Sequence, residues 1–428
     1  MSKLTEIAEL NPKRSLAKGT LAPFIEMAYL QTNARDLSKI SIKKFNGGGS
    51  KFQNGDTLFA RITPCLENGK TAKVSGIEND RVAHGSTEFI VISAKEPEYD
   101  EDYLYYLARL PEFRKYAEKR MEGTSGRQRV SWQSLAEFNY NFPPKEMRKL
   151  AGEILKVFDD KIQLNTQINQ TLENIAQAIF KSCFIDFDPV RAKATALADG
   201  LTPAQAERAA MSVISGKNPA ELDRLQADHP EQYQQLLALA QAFPSEFEEI
   251  EGFGDVPRGW GVKKIEDVIK KIPVGKKYSQ KTTFSEGLVP VLDQGKSGII
   301  GYHNDKAGVR ASIENPVIVF ANHTCYMRLI SYDFSAIQNV FAFRGEETDI
   351  YWTYLATYGK QEFTEYKGHF PDFLIKEIVV PNVELTELFG QIVKESFSKI
   401  AMNDIENSFL TKIRDKLLPK LLNGEIKV

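Results

Sequence analysis

The sequence predicts an α+β fold in which two sheet-rich blocks alternate with two long helices. The helices are expected to form an antiparallel, coiled-coil-like pair, and the whole to repeat with pseudo-two-fold symmetry. Three observations carry this: the chain aligns with itself, two stretches follow helical periodicity without an internal proline, and the stretches before them have the texture of strands and turns. The self-match is gapless at a shift of roughly 238 positions. It places Pro143 on Pro381, Leu150 on Leu388, Gly152 on Gly390, Ile154 on Ile392, Lys161 on Lys399, Asn165 on Asn403 and Asn169 on Asn407. Upstream, at a slightly larger shift, Tyr103-Leu104-Tyr105-Tyr106-Leu107 resembles Tyr351-Trp352-Thr353-Tyr354-Leu355, and Ser86 to Val91 echoes Ala336 to Phe341.

The first block, residues 1–145, contains short Val, Ile, Phe and Thr runs such as Glu88 to Ser93, bounded by Gly, Asn and Pro, which is strand and turn chemistry. Residues 146–184 form the first expected helix, with Leu150, Ile154, Phe158, Leu164, Ile168, Leu172, Ile175 and Ile179 on one face. Residues 185–257 read as an acidic helical connector, not an independent domain. The second block, 258–382, repeats the strand texture at Pro316 to Ala321 and Glu377 to Val380. The second helix, 383–428, offers Leu388, Ile392, Phe397, Ile400, Ile405, Phe409, Ile413 and Leu417. Each rod of about 38 residues would extend about 57 Å, longer than a small block can cover, so the two apolar stripes are expected to cover each other.

With 428 residues, 42% of them hydrophobic and 26% charged, the chain supports two to four folded units of ordinary globular composition. Cys65, Cys183 and Cys325 are odd in number and far apart, which suits reduced thiols. The absence of a long apolar run and of a signal pattern leads to the expectation of a cytoplasmic protein with no membrane association. The net charge of -2 conceals a segregation. The connector holds about 13 acids against about 5 bases, leaving roughly +4 on the first block and +2 on the second, the sign suited to nucleic acid.

Catalytic motifs are missing. Gly295-Lys296-Ser297 cannot be a phosphate loop because Pro290 stands where such a loop needs glycine. Asn141-Phe142-Pro143-Pro144 has the wrong order for an amino-methyltransferase motif and suits a strand end before a helix start. His323 and Cys325 lack a second close pair to complete a metal site, so no metal is expected.

Several runs resemble the specificity subunits of type I restriction-modification systems. They are the run from Gly55 to Lys70 (Gly-Asp-Thr-Leu-Phe-Ala-Arg-Ile-Thr-Pro-Cys-Leu-Glu-Asn-Gly-Lys), the run Phe184 to Arg191, the pieces Phe243 to Phe247 and Pro257 to Trp260, and the run Lys420 to Ile426. The order of blocks resembles that family over essentially the whole chain. The resemblance implies that the two blocks are target recognition domains and that the helices space them and dock two modification subunits. It places catalysis elsewhere: S-adenosylmethionine and adenine methylation on the modification subunits, ATP and Mg on restriction subunits, and no cofactor in this chain. Double-stranded DNA with a bipartite, asymmetric site is the implied target, since two different heads read two different half-sites. A non-catalytic protein scaffold without DNA recognition is the alternative.

Candidate DNA contacts are polar and basic residues on loops. In the first block they are Arg61, Thr63, Asn68 and Lys70, then Ser86, then Ser125, Arg127, Gln128 and Arg129 in a glycine-flanked loop. In the second they are Gln294, Lys296, Ser297, Tyr302, Asn322, His323, Thr324, Arg328, Lys367 and His369. On the helices, Lys161, Asn165, Asn169, Lys399, Asn403 and Asn407 occupy matched positions, where they could face two identical partners or pair with each other across the rod.

Overall fold

The computed structural model describes residues 1–295, 298–365 and 367–426. The chain divides into two compact units, Met1–Gln167 with Asp404–Val428, and Ile168–Asn403. The division falls inside both long helices, which run Lys145–Phe184 and Val383–Leu422. The second helix carries Pro419 in its last turn, at the loss of the ladder bond its N–H would have made to the preceding turn.

In the first unit an antiparallel sheet has the order Ala8–Leu10, Phe89–Ala94, Thr57–Ala60, Thr71–Lys73. Alternate side chains of its central strands enter different cores, as strand periodicity requires. Phe59, Ile90 and Ile92 pack with Tyr103, Leu107 and Phe113, whereas Leu58, Phe89 and Val91, with Ala72 of the same sheet, pack with Ile25 and Phe52 of a second four-stranded sheet. The helix Pro97–Arg109 opens with proline and acidic residues, as a helix start favours. It buries Asp100, which takes both Nε and NH2 of Arg148 at 2.5 and 3.2 Å.

The second unit repeats this plan. Its sheet runs Ile269–Ile272, Val340–Gly345, Val317–Ala321, Met327–Ile330, and its helix Ile350–Thr357 is capped by Asp349, whose Oδ1 accepts from the N–H groups of Tyr351 (2.8 Å) and Trp352 (3.1 Å). The strand ladders correct the upstream echo by one residue. Ala60 pairs with Phe89 and Ala321 with Val340, so Phe89 corresponds to Val340, one position beyond the partner that residue identity suggested. A one-residue slip would have exchanged the faces of the strand.

Both units use the repeated helix glycine in the same way. A Cβ on Gly152 would lie 2.9 Å from the Asp102 Cβ, and one on Gly390 would lie 2.2 Å from the Asp349 Cγ. Glycine there lets each long helix press against the shorter helix of its block, at mid-length in the first unit and at its N-cap in the second.

The acidic segment forms four helices, Asp188–Ala198, Pro203–Ser215, Pro219–Asp228 and Pro230–Ala242, and ends in a hairpin, Phe247–Ile250 with Gly254–Pro257. Its apolar residues share one core with the second block, through Phe184, Phe243 and Trp260. Lys193 is buried and donates Nζ to the carbonyls of Ala240 (3.1 Å), Gln241 (3.4 Å) and Phe243 (2.5 Å), capping the end of the last helix with a cation.

The helix pairing differs from the expected apolar seam. In the first unit, Ala151 and Leu155 of one helix and Leu418, Leu421 and Leu422 of the other join the core of the block. Between them Arg414 meets Asp159 in a buried ion pair, the Tyr106 hydroxyl donates to the Asp159 Oδ2 at 2.7 Å, and the Tyr103 hydroxyl donates to the Leu422 carbonyl at 2.7 Å. Burial pulls the Arg414 pKa down, but the carboxylates of Asp159 and Asp415 outweigh it and hold it above the ordinary value. Asn165 Nδ2 donates to Asn407 Oδ1 at 2.9 Å. In the second unit Asn403 Nδ2 donates to Asn169 Oδ1 at 2.8 Å, the bond that the repeat relates to the first. The positions that the repeat matches to Asp159 and Arg414 are Phe397 and Ala176, both in an apolar core. Five residues assigned to the mutual stripe remain outward: Leu164, Ile175, Ile405, Phe409 and Ile413, with Phe409 60% exposed. The seam follows the polar and block-facing residues because each helix gives apolar side chains at its two ends to the cores of the two blocks, Ala151 and Leu155 then Phe180 and Phe184 in the first, Leu385 and Phe389 then Leu418 and Leu421 in the second.

Asp159→Ala, which strands a buried Arg414, is expected to lower the unfolding free energy by about 3–5 kcal/mol. Lys161→Ala, which breaks an exposed pair with Glu406, is expected to cost under about 1 kcal/mol. Urea denaturation of both variants checks the contrast, and equal losses would contradict the ranking.

Candidate nucleic-acid interface

In the first unit three loops meet at Arg61. Its N–H donates to the Glu88 carbonyl at 3.0 Å, and its own carbonyl accepts from the Val130 N–H at 3.0 Å. Two residues on, the Thr63 N–H donates to the Gln128 carbonyl and the Gln128 N–H donates to Thr63 Oγ1, both at 3.1 Å. Ser86 Oγ accepts from the Glu88 N–H at 3.1 Å and shapes the third loop. The loop between Glu122 and Arg129 is closed by reciprocal backbone bonds between those two residues, with Gly123 at φ 124° and Gly126 at φ 78° making the return.

The charges of this loop are unequal. Arg129 is forked onto Glu88, with Nε at 2.9 and 3.0 Å and NH2 at 2.8 Å, and this bonding raises its pKa. Arg127, at the exposed tip beside the exposed Ser125, makes no side-chain ion pair or hydrogen bond among the described residues. Thr63 is buried and braces the junction, Lys70 donates Nζ to the Met27 carbonyl at 3.0 Å, and Asn68 is exposed. Arg61 is half-buried, with its Nε shielded and without a partner among the described residues.

The second unit builds the same junction around Asn322. Its N–H donates to the Asn339 carbonyl and its carbonyl accepts from the His369 N–H, both at 2.9 Å. Arg61, Glu88 and Val130 thus correspond to Asn322, Asn339 and His369. Asn322 Oδ1 also accepts from the Phe370 N–H at 2.8 Å. His323 Nδ1 bonds the Lys367 carbonyl at 2.8 Å, its Nε2 meets Asn339 Nδ2 at 3.1 Å, and its N–H donates to Gln294 Oε1 at 2.9 Å. Thr324 Oγ1 donates to the Gln294 carbonyl at 2.5 Å, and Arg328 NH2 to the Asp293 carbonyl at 3.2 Å.

Not every expected contact faces outward. His369 is fully buried, bonding the Glu365 carbonyl through Nε2 and Gln361 through Nδ1, and Asn322 is buried by its backbone-bracing role, so both hold the junction together and neither presents to a groove. Lys367 is exposed but shared by Glu365 and Asp372, each at 3.3 Å, and these bonds raise its pKa. Tyr302 lies on the strand Ile299–His303 of the other sheet, its backbone paired with Phe284. Lys296 and Ser297, with the neighbouring Tyr366 of the second loop, lie outside the described residues. On the helices, Asn165 and Asn403 are buried in pairing and Lys161 is paired to Glu406 at 3.3 Å, so the alternative of pairing across the rod describes them. Glu88 and Asn339 were missed, because an acid and an amide beside a strand carry no sequence signal of bracing a loop from another element.

Among the described residues no group of three or more His, Cys, Asp or Glu is arranged to hold a metal ion, and no helix is long and apolar enough to cross a membrane. Residues 1–174 match the family model described as the type I restriction modification DNA specificity domain. Over 420 residues the chain is 34% identical to the type I restriction enzyme HindI specificity subunit of Haemophilus influenzae, covering 90% of each. The chain belongs to the type I restriction enzyme specificity subunits. Across 353 residues it is also 23% identical to the MjaIX specificity subunit of Methanocaldococcus jannaschii, covering 76% of this chain and 69% of that one. The solved S subunit of a type I restriction-modification system from M. genitalium aligns over 98% of this chain and 95% of its own at 13% identity and a TM-score of 0.47. Specificity subunits are non-catalytic members of restriction-modification complexes, and catalysis lies on their partner subunits.

Arg127→Gln in the assembled complex is expected to weaken DNA binding about tenfold and to reduce the salt slope by about one. Lys367→Gln, which removes a charge already balanced by two carboxylates, is expected to change the slope less. Fluorescence anisotropy at several salt concentrations checks this, and indistinguishable slopes would sink the assignment.

Proposed function

We propose that this specificity subunit directs its complex to a split, asymmetric site in double-stranded DNA, each unit reading one half through its three-loop junction. The observation that carries the reading is that the two units share the backbone of the junction while the side chains differ. Among side chains that reach solvent there, the partly exposed Gln128 stands in one where the exposed Lys367 stands in the other, while within the frame the buried Asn322 replaces Arg61. A common frame with different donors and acceptors suits two half-sites of different sequence.

The outward apolar residues suit partner docking better than the paired asparagines do. Leu164, Ile405, Phe409 and Ile413 in the first unit, and Ile175 and Met402 in the second, are exposed large hydrophobic side chains on the long helices. In this reading two modification subunits bind these faces, bring S-adenosylmethionine and methylate adenine. Restriction subunits add ATP- and Mg-dependent cleavage, and the complex acts in the cytoplasm.

Mapping methylated adenine by single-molecule sequencing, in genomes with and without this gene and with its neighbours intact, tests the reading. One split, asymmetric motif should lose methylation on both strands when the gene is removed. Unchanged methylation in cells that express the whole system would favour a scaffold without DNA recognition.

A further inference from the structure

In the first unit a cavity of about 520 Å³ opens beside the loop that carries Asn68. Its wall brings together Arg109, from the end of the helix Pro97–Arg109, and Arg114, from the helix Pro111–Glu118, with Asn33 and Asn68. Among the described residues neither arginine has a carboxylate partner. Arg109 donates to the Tyr105 hydroxyl and to the Thr32 carbonyl, each at 3.2 Å. The Arg114 side chain makes no hydrogen bond or ion pair among the described residues, and its Nε is buried without a partner. Burial, and then the like charge of Arg109, pull the pKa of Arg114 below the ordinary arginine value, against the smaller opposing pull of Glu118.

Two carboxylates also stand on the wall, and neither neutralises this pair. Asp415 is held by Arg414, through Nε at 2.9 Å and NH2 at 2.8 Å, and Glu112 forms no ion pair with either arginine. The place of Arg114 is built into the loop above it. Gly69 has a φ of 73°, and a Cβ there would lie 2.4 Å from NH2 and 2.6 Å from Cζ of Arg114, so the loop closes over the guanidinium because this residue lacks a side chain. Two partly desolvated cations on one cavity wall cost stability, and an anion bound in the cavity offsets that cost.

We propose that this cavity is an oxyanion site for a phosphoryl group, with Arg109 and Arg114 as its charged donors and Asn33 and Asn68 as neutral ones. Guanidinium forks match the oxygens of a phosphoryl group, which neighbouring amides can also bond. Such a group reaches the site either on a DNA backbone or on a small phosphate compound, and the same donors serve both. The site does not depend on the reading of the Glu122 to Arg129 loop.

The test is calorimetric titration of the full-length chain, with its partner subunits where solubility requires them, using inorganic pyrophosphate as the probe at low salt. Saturable binding at one site is expected, weakened at least tenfold in Arg114→Gln and in Arg109→Gln, and partly retained in Arg114→Lys. Thermal melting establishes which variants are folded, and loss of affinity in either folded glutamine variant supports the site. Displacement of pyrophosphate by excess duplex DNA assigns the site to the DNA backbone, and retention alongside DNA assigns it to a small phosphate compound. No saturable binding by the unaltered chain, or equal affinity in both folded glutamine variants, overturns the proposal.

Discussion

The buried contact of Asp159 with Arg414 and Tyr106 is the interaction on which the first unit depends. It joins a residue of the first long helix to one 255 positions further along the chain, so the block formed by the opening sequence is completed only by the closing helix. An ion pair this buried adds little over a well-packed apolar contact while both partners are present, but losing either one is severe. The repeat changes this place in the other unit, where Phe397 and Ala176 join an apolar core and Phe397 stacks on Tyr351. The asparagine bonds keep their repeat relationship and the ion pair does not.

The recognition loops rest on the same separation of frame and surface. Backbone bonds among three loops fix the junction in both units, and buried side chains such as Thr63, Asn322 and His369 serve that frame. Charge counted along the sequence overstates what reaches solvent unpaired, because Arg129 and Lys367 already face carboxylates. Arg127 does not, and the pair Arg109 and Arg114 does not. At those arginines an incoming polyanion would meet no internal ion pair that must first be broken.

Much of this was legible before any coordinates. A gapless repeat fixes which elements correspond, and periodicity locates long helices well because an error of a few residues scarcely matters over ten turns. The repeated Gly152 and Gly390 were visible as a match, and their reason, a close approach to the shorter helix of the same block, needed the fold. The direction of each helix face was not legible. Ile405, Phe409 and Ile413 have the spacing of a buried stripe, yet they stand outward, because periodicity identifies a face without saying what covers it. Composition likewise separates polar from apolar loops, but it cannot distinguish His369, whose nitrogens are spent on its own loop, from Arg127, whose guanidinium is not. The hairpin closing the acidic segment was hidden because Glu248 and Glu249 are poor strand formers, held there by pairing with Val256 and Asp255.

The central claim is that two units of one chain read two halves of one site independently. Exchange of residues 1–145 for the corresponding block of another specificity subunit, followed by mapping of methylated bases in cells carrying the hybrid, tests it most directly. The account predicts a motif in which one half changes and the other is kept. Retention of both halves, or replacement of both, would contradict it.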